Sequence, residues 1–234
     1  MIKNAIRNIL RGLGYEVHKR QIHDGLYRPL YAPWESDQFA AYYSIAAPRT
    51  LVSRDRCYVL ERLLRQTLSV PGDVFECGVY KGGTAALLRA LLEEAKSSKK
   101  LYLFDTFEGM PETNPEEDLH RKGDFSDTSF EAVQSFVGGG GGTCIFKKGF
   151  IPDTFAGLSG LVLSFCHIDV DIYKSIIDSL EFIWPRLSPG GVIVFDDYGF
   201  PSCPGARKAV DDFFRDKNHV PLCLHTGQAI VFKK

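Results

Sequence analysis

Two apolar runs end abruptly in acids, and no other feature constrains the fold of this chain as tightly. Residues 161–168 lead into Asp169-Val170-Asp171, and residues 189–195 lead into Asp196-Asp197-Tyr198. Runs of this length without polar alternation read as strands covered on both faces, the mark of a parallel sheet. Ligands of open α/β sheets sit beyond the carboxyl ends of the strands. Carboxylates gathered there repel one another unless a cation lies between them. Oxygen-only donors favour Mg2+, Mn2+ or Ca2+ over zinc. Asp169, Asp196 and Asp197 are therefore candidate ligands of a divalent metal such as Mg2+, while Asp171 is also placed to cap the helix that follows.

From residue 71 onward strands alternate with helices. Strands are expected at 74–79, 101–105 and 144–147 in addition to the two acid-ended runs. Helices are expected at 84–95, 173–187 and 205–216, and from Thr128, where Thr128-Ser129-Phe130-Glu131 has capping-box spacing, to 137. The glycine run 138–142 lacks a strand-to-helix context and reads as a flexible connector. Near the C-terminus, strand-like segments 220–224 and 229–232 are separated only by His225-Thr226-Gly227-Gln228. A crossover helix does not fit in that link, so the two segments must form an antiparallel hairpin. The expectation is an α/β fold with a mostly parallel seven-stranded sheet, closed by a C-terminal antiparallel hairpin. Residues 1–70 are expected as a helical cap that includes a helix at 54–67, and residues 71–234 as the ligand-binding domain.

A chain of 234 residues with 44% hydrophobic content suffices for one such domain with an N-terminal elaboration. Its formal net charge of −1 gives no support to a nucleic-acid partner. The six cysteines (57, 77, 144, 166, 203 and 223) never fall into C-x-x-C spacing, which argues against a zinc or disulfide framework and for a reducing cytoplasm. No apolar run at the N-terminus is long enough for a signal peptide or a membrane span. Ile2, Ile6, Ile9, Leu10 and Leu13 do recur at helical spacing, opposite Lys3, Arg7 and Arg11, as in a short amphipathic helix.

Phe75-Glu76-Cys77-Gly78-Val79-Tyr80-Lys81-Gly82-Gly83-Thr84 joins the first strand to its helix. Glycine here permits a tight turn and close approach of backbone to a ligand. The pattern is not G-x-G-x-x-G, and Glu76 would repel a pyrophosphate but accept from an amino group. Asp105 ends the second strand, where a carboxylate accepts the ribose hydroxyls of an adenosine cofactor. Phe107 is a candidate cover for that ribose or its base, with core packing as the plainer reading. His167, inside a buried strand, reads as a core histidine. His120, in the long loop after the second strand, is a candidate base above the site, against the plainer reading of an exposed loop histidine. Tyr27, Tyr31, Trp34, Phe39, Tyr42 and Tyr43 are a candidate aromatic wall for an acceptor, or a small core of their own.

Taken together, the blocks Gly72–Gly83, Phe104-Asp105-Thr106-Phe107-Glu108-Gly109-Met110-Pro111, Lys148–Thr154, Ile168–Tyr173 and Phe195-Asp196-Asp197-Tyr198 resemble the macrocin and mycinamicin O-methyltransferase family. The resemblance runs from about Thr50 to the C-terminus. It implies a class I methyltransferase fold and methyl transfer from S-adenosylmethionine to a sugar hydroxyl, assisted by a divalent cation. By position it implies that Glu76, Gly78, Lys81, Gly83 and Thr84 hold the methionine end and Asp105 the ribose. Gly149 and Phe150 would flank the adenine. Asp169, Asp196 and Asp197 would hold the metal, with Asp169 also a candidate base. Lys81 stands where relatives often have Arg. The expected acceptor is a hydroxylated small molecule, a glycoside, and the expected assembly a homo-oligomer. Alternatives are a metal-dependent methyltransferase for catechol-like phenols, a nicotinamide-dependent sugar oxidoreductase and a non-catalytic cofactor-binding subunit.

Overall fold

The computed structural model describes residues 32–138 and 142–234, together with Leu10. The amphipathic pattern over Ile2, Ile6, Ile9 and Leu13, the aromatics Tyr27 and Tyr31, and the centre of the glycine run lie outside the described residues.

Seven strands form one sheet: β1 (Asp73–Cys77), β2 (Leu101–Asp105), β3 (Cys144–Lys148), β4 (Leu163–Ile168), β5 (Leu187–Phe195), β6 (Leu222–Cys223) and β7 (Ala229–Phe232). Their order is β3-β2-β1-β4-β5-β7-β6. Strands β1 to β5 pair in parallel, whereas β7 runs antiparallel to both β5 and β6. The short link between β6 and β7 enforces that reversal, as its length requires. This is the class I methyltransferase arrangement expected from the sequence. The dinucleotide-binding order 3-2-1-4-5-6 has no such inserted strand. After β3 the chain returns across β1 to form β4, so the topological switch point lies between β1 and β4.

Among the described residues six α-helices accompany the sheet: α1 (Asp37–Ala46), α2 (Arg54–Gln66), α3 (Gly83–Glu94), α4 (Phe130–Val137), α5 (Tyr173–Ile183) and α6 (Pro204–Phe214). Strand side chains alternate between the two faces. Val74, Leu101, Leu103, Phe165, Val192 and Val194 enter the core shared with α1, α2 and α3. Phe75, Phe104, Cys166, Ile168, Ile193 and Phe195 enter the core shared with α5 and α6. Residues 37–66 thus do not stand apart as a cap. Phe39 is 1% exposed and meets Tyr58 edge-to-face at 5.1 Å, inside the same core as the sheet. The residues from Trp34 to Lys234 form one compact unit.

Two boundaries differ from expectation for local reasons. Helix α4 is capped by Ser129, which accepts from the Ala132 N–H, while Thr128 Oγ1 donates to the Tyr80 carbonyl at 2.6 Å. The N-cap therefore sits one residue later than the spacing suggests, and with Ala132 at the third helical position no capping box forms. Helix α5 stops at Ile183 and passes into a 3-10 turn at Trp184–Arg186, because Pro185 has no N–H with which to continue the helix. Among the described residues no helix is long and apolar enough to cross a membrane.

Candidate functional site

A cavity of about 280 Å3 opens at the carboxyl ends of β1, β2 and β4, on the switch point. Its floor is built by the turn from β1 into α3. Gly78 has φ +86°, and a Cβ there would fall 1.7 Å from the Asp169 carbonyl oxygen, so no other residue fits. The Asp169 N–H donates to the Cys77 carbonyl at 2.8 Å, stitching the ends of β1 and β4 together. Asp105 holds the turn from the other side. Its Oδ2 accepts from the amides of Val79 and Tyr80 at 2.7 and 2.8 Å, and its Oδ1 from the amide of Phe107 at 2.7 Å. A carboxylate offers about four acceptor positions, so Asp105 retains capacity for a ligand but not for many bonds. Gly78, Thr84, Asp105, Gly149 and Phe150 all line the cavity. Helix α3 begins without a side-chain cap, which leaves its first amides free for an anionic group.

Beside this turn lies a buried polar chain. Glu76 and His167 are register partners on β1 and β4, and Glu76 Oε1 lies 3.0 Å from His167 Nδ1. His167 Nε2 approaches Asp196 Oδ1 at 3.5 Å, and Asp196 Oδ1 accepts from Gln228 Nε2 at 2.8 Å. Arg56 of α2 donates to Asp196 Oδ2. Burial pushes the His167 imidazole down, but Asp196 and Glu76 outweigh it and raise it to about 10. Burial acts against the Asp196 carboxylate too, yet His167, Arg56 and Gln228 hold it below its usual range. His167 and Arg56 also act on Asp169, and the Asp171 amide on Asp197, but there they are outweighed. Burial and the neighbouring acids push both carboxyls well above their usual range.

The three candidate metal ligands are not arranged alike. Asp169, Asp196 and His167 bring donor atoms within 4.8 Å of one another. Asp197 lies outside that group, with its Oδ2 accepting from the Asp171 amide at 3.0 Å. Alternation is the cause: Asp196 follows Val194 toward α2, whereas Asp197 follows Phe195 toward α5. Asp169 and Asp197 line the cavity and Asp196 lies fully buried beneath it. Asp171 does not cap α5. Asp118 of the long loop does so, its Oδ1 accepting from the Tyr173 amide at 2.9 Å.

Several residues expected in the site lie elsewhere. Glu76 is fully buried and absent from the cavity wall, because it shares its strand face with Val74 rather than pointing along the strand end. Lys81 points outward to Asp127 at 2.5 Å and lies over the Tyr80 ring. Gly83 is covered by Thr50, Ala46 and Arg49, where a Cβ would meet atoms at 2.6–2.7 Å, so it serves helix packing. Phe107 is 1% exposed and packs edge-to-face on Phe130, taking the plainer role of a core residue. Trp34, Phe39, Tyr42 and Tyr43 pack in or against the core and none reaches the cavity. Arg49, Thr50, Leu51, Val52 and Arg56 line it instead, facing Met110, Pro111, His120 and Phe125 of the loop 106–129. Sequence reading passed over Arg56, Gln228 and Cys203; no local pattern marks them, since their partners are distant in the chain.

The Macrocin-O-methyltransferase (TylF) family model matches residues 40–233. A tetracenomycin-C rhamnosyl 4'-O-methyltransferase of Streptomyces olivaceus is 33% identical over 167 residues, covering 67% of this chain and 62% of its own length. This chain therefore spans less than two thirds of that relative. The mycinamicin III 3''-O-methyltransferase of Micromonospora griseorubida is 30% identical over 186 residues, covering 73% of this chain and 72% of its own. The solved structure of the O-methyltransferase NovP superposes with a TM-score of 0.72 at 24% identity, over 80% of this chain and 82% of that one, which supports the fold.

Proposed function

The chain belongs to the macrocin O-methyltransferase family, and we propose that it transfers a methyl group from S-adenosylmethionine to a hydroxyl of a sugar or glycosylated small molecule, assisted by a divalent cation. The observation that carries this reading is the convergence on one cavity of the Gly78 turn, the Asp105 carboxylate and the acids ending β4 and β5. Relatives named for transfer to rhamnosyl and mycinamicin hydroxyls favour a glycoside acceptor.

The residues present fit the cofactor. Gly78 removes the side chain that would block close approach, the free amides of α3 suit the methionine carboxylate, and Asp105 keeps acceptor capacity for a ribose hydroxyl. Gly149 and the half-exposed Phe150 stand where an adenine would pack. They also offer a hard cation oxygen donors: Asp169 and Asp196 already stand together, Asp197 would join them by turning from the Asp171 amide, and the elevated Asp169 and Asp197 mark a site short of positive charge. Asp196 would share its carboxylate between that cation and Arg56. Once bound, the cation would hold an acceptor hydroxyl and lower its pKa, and the cofactor supplies an already activated methyl.

What the chain itself contributes is position and a proton acceptor. Asp169, which lines the cavity, takes the hydroxyl proton as general base. Its backbone is locked to Gly78, so the acceptor oxygen and the methyl donor are held in a fixed relation, where most of the rate arises. The wall at 49–52 and the loop 106–129 enclose the sugar. His120 turns its Nε2 toward Cys203 and Asp171 rather than Asp169, which leaves Asp169 the base. We further place the enzyme in a reducing cytoplasm as a homo-oligomer; its six cysteines are all free thiols.

The test is turnover with methyl-labelled S-adenosylmethionine against panels of glycosides and catechols, with and without EDTA. Label should pass to a glycoside, stop in EDTA and resume with Mg2+. Transfer only to catechols would move the acceptor class, and full activity in EDTA would remove the cation.

A further inference from the structure

A second group of donors stands at the rim of the cavity, apart from the acids just assigned. His120 comes from the loop 106–129, Asp171 from the turn between β4 and α5, and Cys203 is the residue preceding α6. Their donor atoms form a near-equilateral triangle. His120 Nε2 lies 3.6 Å from Cys203 Sγ and 3.7 Å from Asp171 Oδ1, and Cys203 Sγ lies 3.4 Å from Asp171 Oδ1. A tetrahedral ion with bonds of about 2.0–2.3 Å to nitrogen, oxygen and sulfur has donor–donor edges of about 3.3–3.7 Å. The two edges to sulfur are close to that size, and the nitrogen–oxygen edge is a few tenths of an ångström longer than its own value.

The surroundings repeat the pattern of a built metal site. Ligating histidines usually give their other ring nitrogen to a carboxylate, which fixes the tautomer and the ring. His120 Nδ1 lies 3.1 Å from Asp124 Oδ2, and the Arg121 amide donates to that same oxygen at 3.0 Å, holding it in place. Ser202 Oγ lies 3.4 Å from Cys203 Sγ. The donor set of imidazole, thiol and carboxylate is also softer than the oxygens of Asp169, Asp196 and Asp197, and suits a different ion.

We propose that His120, Asp171 and Cys203 form a second metal site of the Zn2+ type, with three protein ligands and one open position. All three residues line the cavity, so the fourth ligand comes from within it, as water or an acceptor hydroxyl. The ion would tie the loop 106–129 to the β4 and β5 crossovers and so set the height of the acceptor wall. Methyl transfer itself does not require it.

The experiment uses the full chain stripped with chelator, held in excess Mg2+ and titrated with Co2+ as a spectroscopic substitute for Zn2+. One equivalent should produce visible bands of tetrahedral intensity and a near-ultraviolet sulfur-to-cobalt band, both removed by Zn2+. Cys203→Ser should lose the sulfur band and Cys223→Ser should keep it. Asp124→Ala, a change at a half-exposed residue that leaves all three ligands in place, should weaken Co2+ binding by about 10–100-fold. Weak octahedral bands alone, a sulfur band that survives Cys203→Ser, or unchanged affinity in both Asp124→Ala and His120→Gln would overturn the site. Because the readout is spectroscopic, none of these outcomes bears on the methyl-transfer reading.

Discussion

Arg56 of α2 donates to a carboxylate, that of Asp196, which is entirely buried at the end of β5. The pair joins the helical N-terminal half of the chain to the acids of the site. Removing one member of a buried pair leaves the other charge uncompensated, at a cost of about 3–5 kcal/mol. Arg56→Met should lose stability of that order in urea denaturation with chelator present, and Mg2+ should recover part of it. A variant as stable as the parent in chelator would show that His167 and Gln228 alone satisfy Asp196.

The two neighbouring acids should respond in opposite directions. Asp196 is held ionised by its three partners, so Asp196→Asn should destabilise the metal-free protein. Asp197 is buried among Asp171, Asp169 and Asp196 with its carboxyl pushed up, so Asp197→Asn should relieve repulsion and stabilise it. Both should abolish Mg2+-dependent turnover while leaving cofactor affinity nearly intact. Thermal melts in EDTA that move the same way for both variants would contradict the division of roles.

Asp105→Ala should act twice. Loss of an acceptor for the ribose should cost about 1.5–3 kcal/mol of cofactor affinity, as for hydrogen bonds to a charged group. Because the same carboxylate receives the amides of Val79, Tyr80 and Phe107, the melting temperature should fall as well. Calorimetry and a melt on the same sample separate the two effects. Unchanged affinity would place the ribose elsewhere.

The acceptor wall should be separable from the core beneath it. Phe39→Ala should cost about 3–5 kcal/mol of stability and leave the preference among acceptors unaltered, since Phe39 is buried away from the cavity. Leu51, 65% exposed at the cavity wall, should behave in reverse. Leu51→Ser should shift KM for the glycoside with little change in stability. Identical acceptor profiles for the two variants would refute the assignment of 49–52 to the wall.

The sheet was legible because its determinants are local. Apolar runs ending in acid define β4 and β5, and the four-residue link after residue 224 forces the reversal of β7. The Gly78 turn, Asp105 and Asp169 could also be placed from sequence, since strand ends and their loops are contiguous. Glu76 misled because the turn that begins two residues on, at Gly78, lines the site while its own side chain follows strand alternation to His167, 91 residues away. Arg56 and Gln228 converge on Asp196 from 140 and 32 residues away, and nothing near either residue announces that meeting. The N-terminal aromatics have the composition of a binding wall, but burial of large rings against the sheet yields more than exposing them to a cavity.

The contact between Gly78 and the Asp169 carbonyl has a meaning for how such enzymes diversify. With no side chain between the two strand ends, the residues we assign to the methyl donor and the proton acceptor ride on a single rigid chassis, and a mutation that shifts one carries the other with it. The surfaces assigned to the acceptor, 49–52 and 106–129, touch that chassis through side chains and loop contacts, such as Thr50 on Gly83 and Asp118 on the Tyr173 amide, rather than as part of its strands. New acceptors can therefore be acquired by rewriting loops, while the reaction coordinate is inherited unchanged.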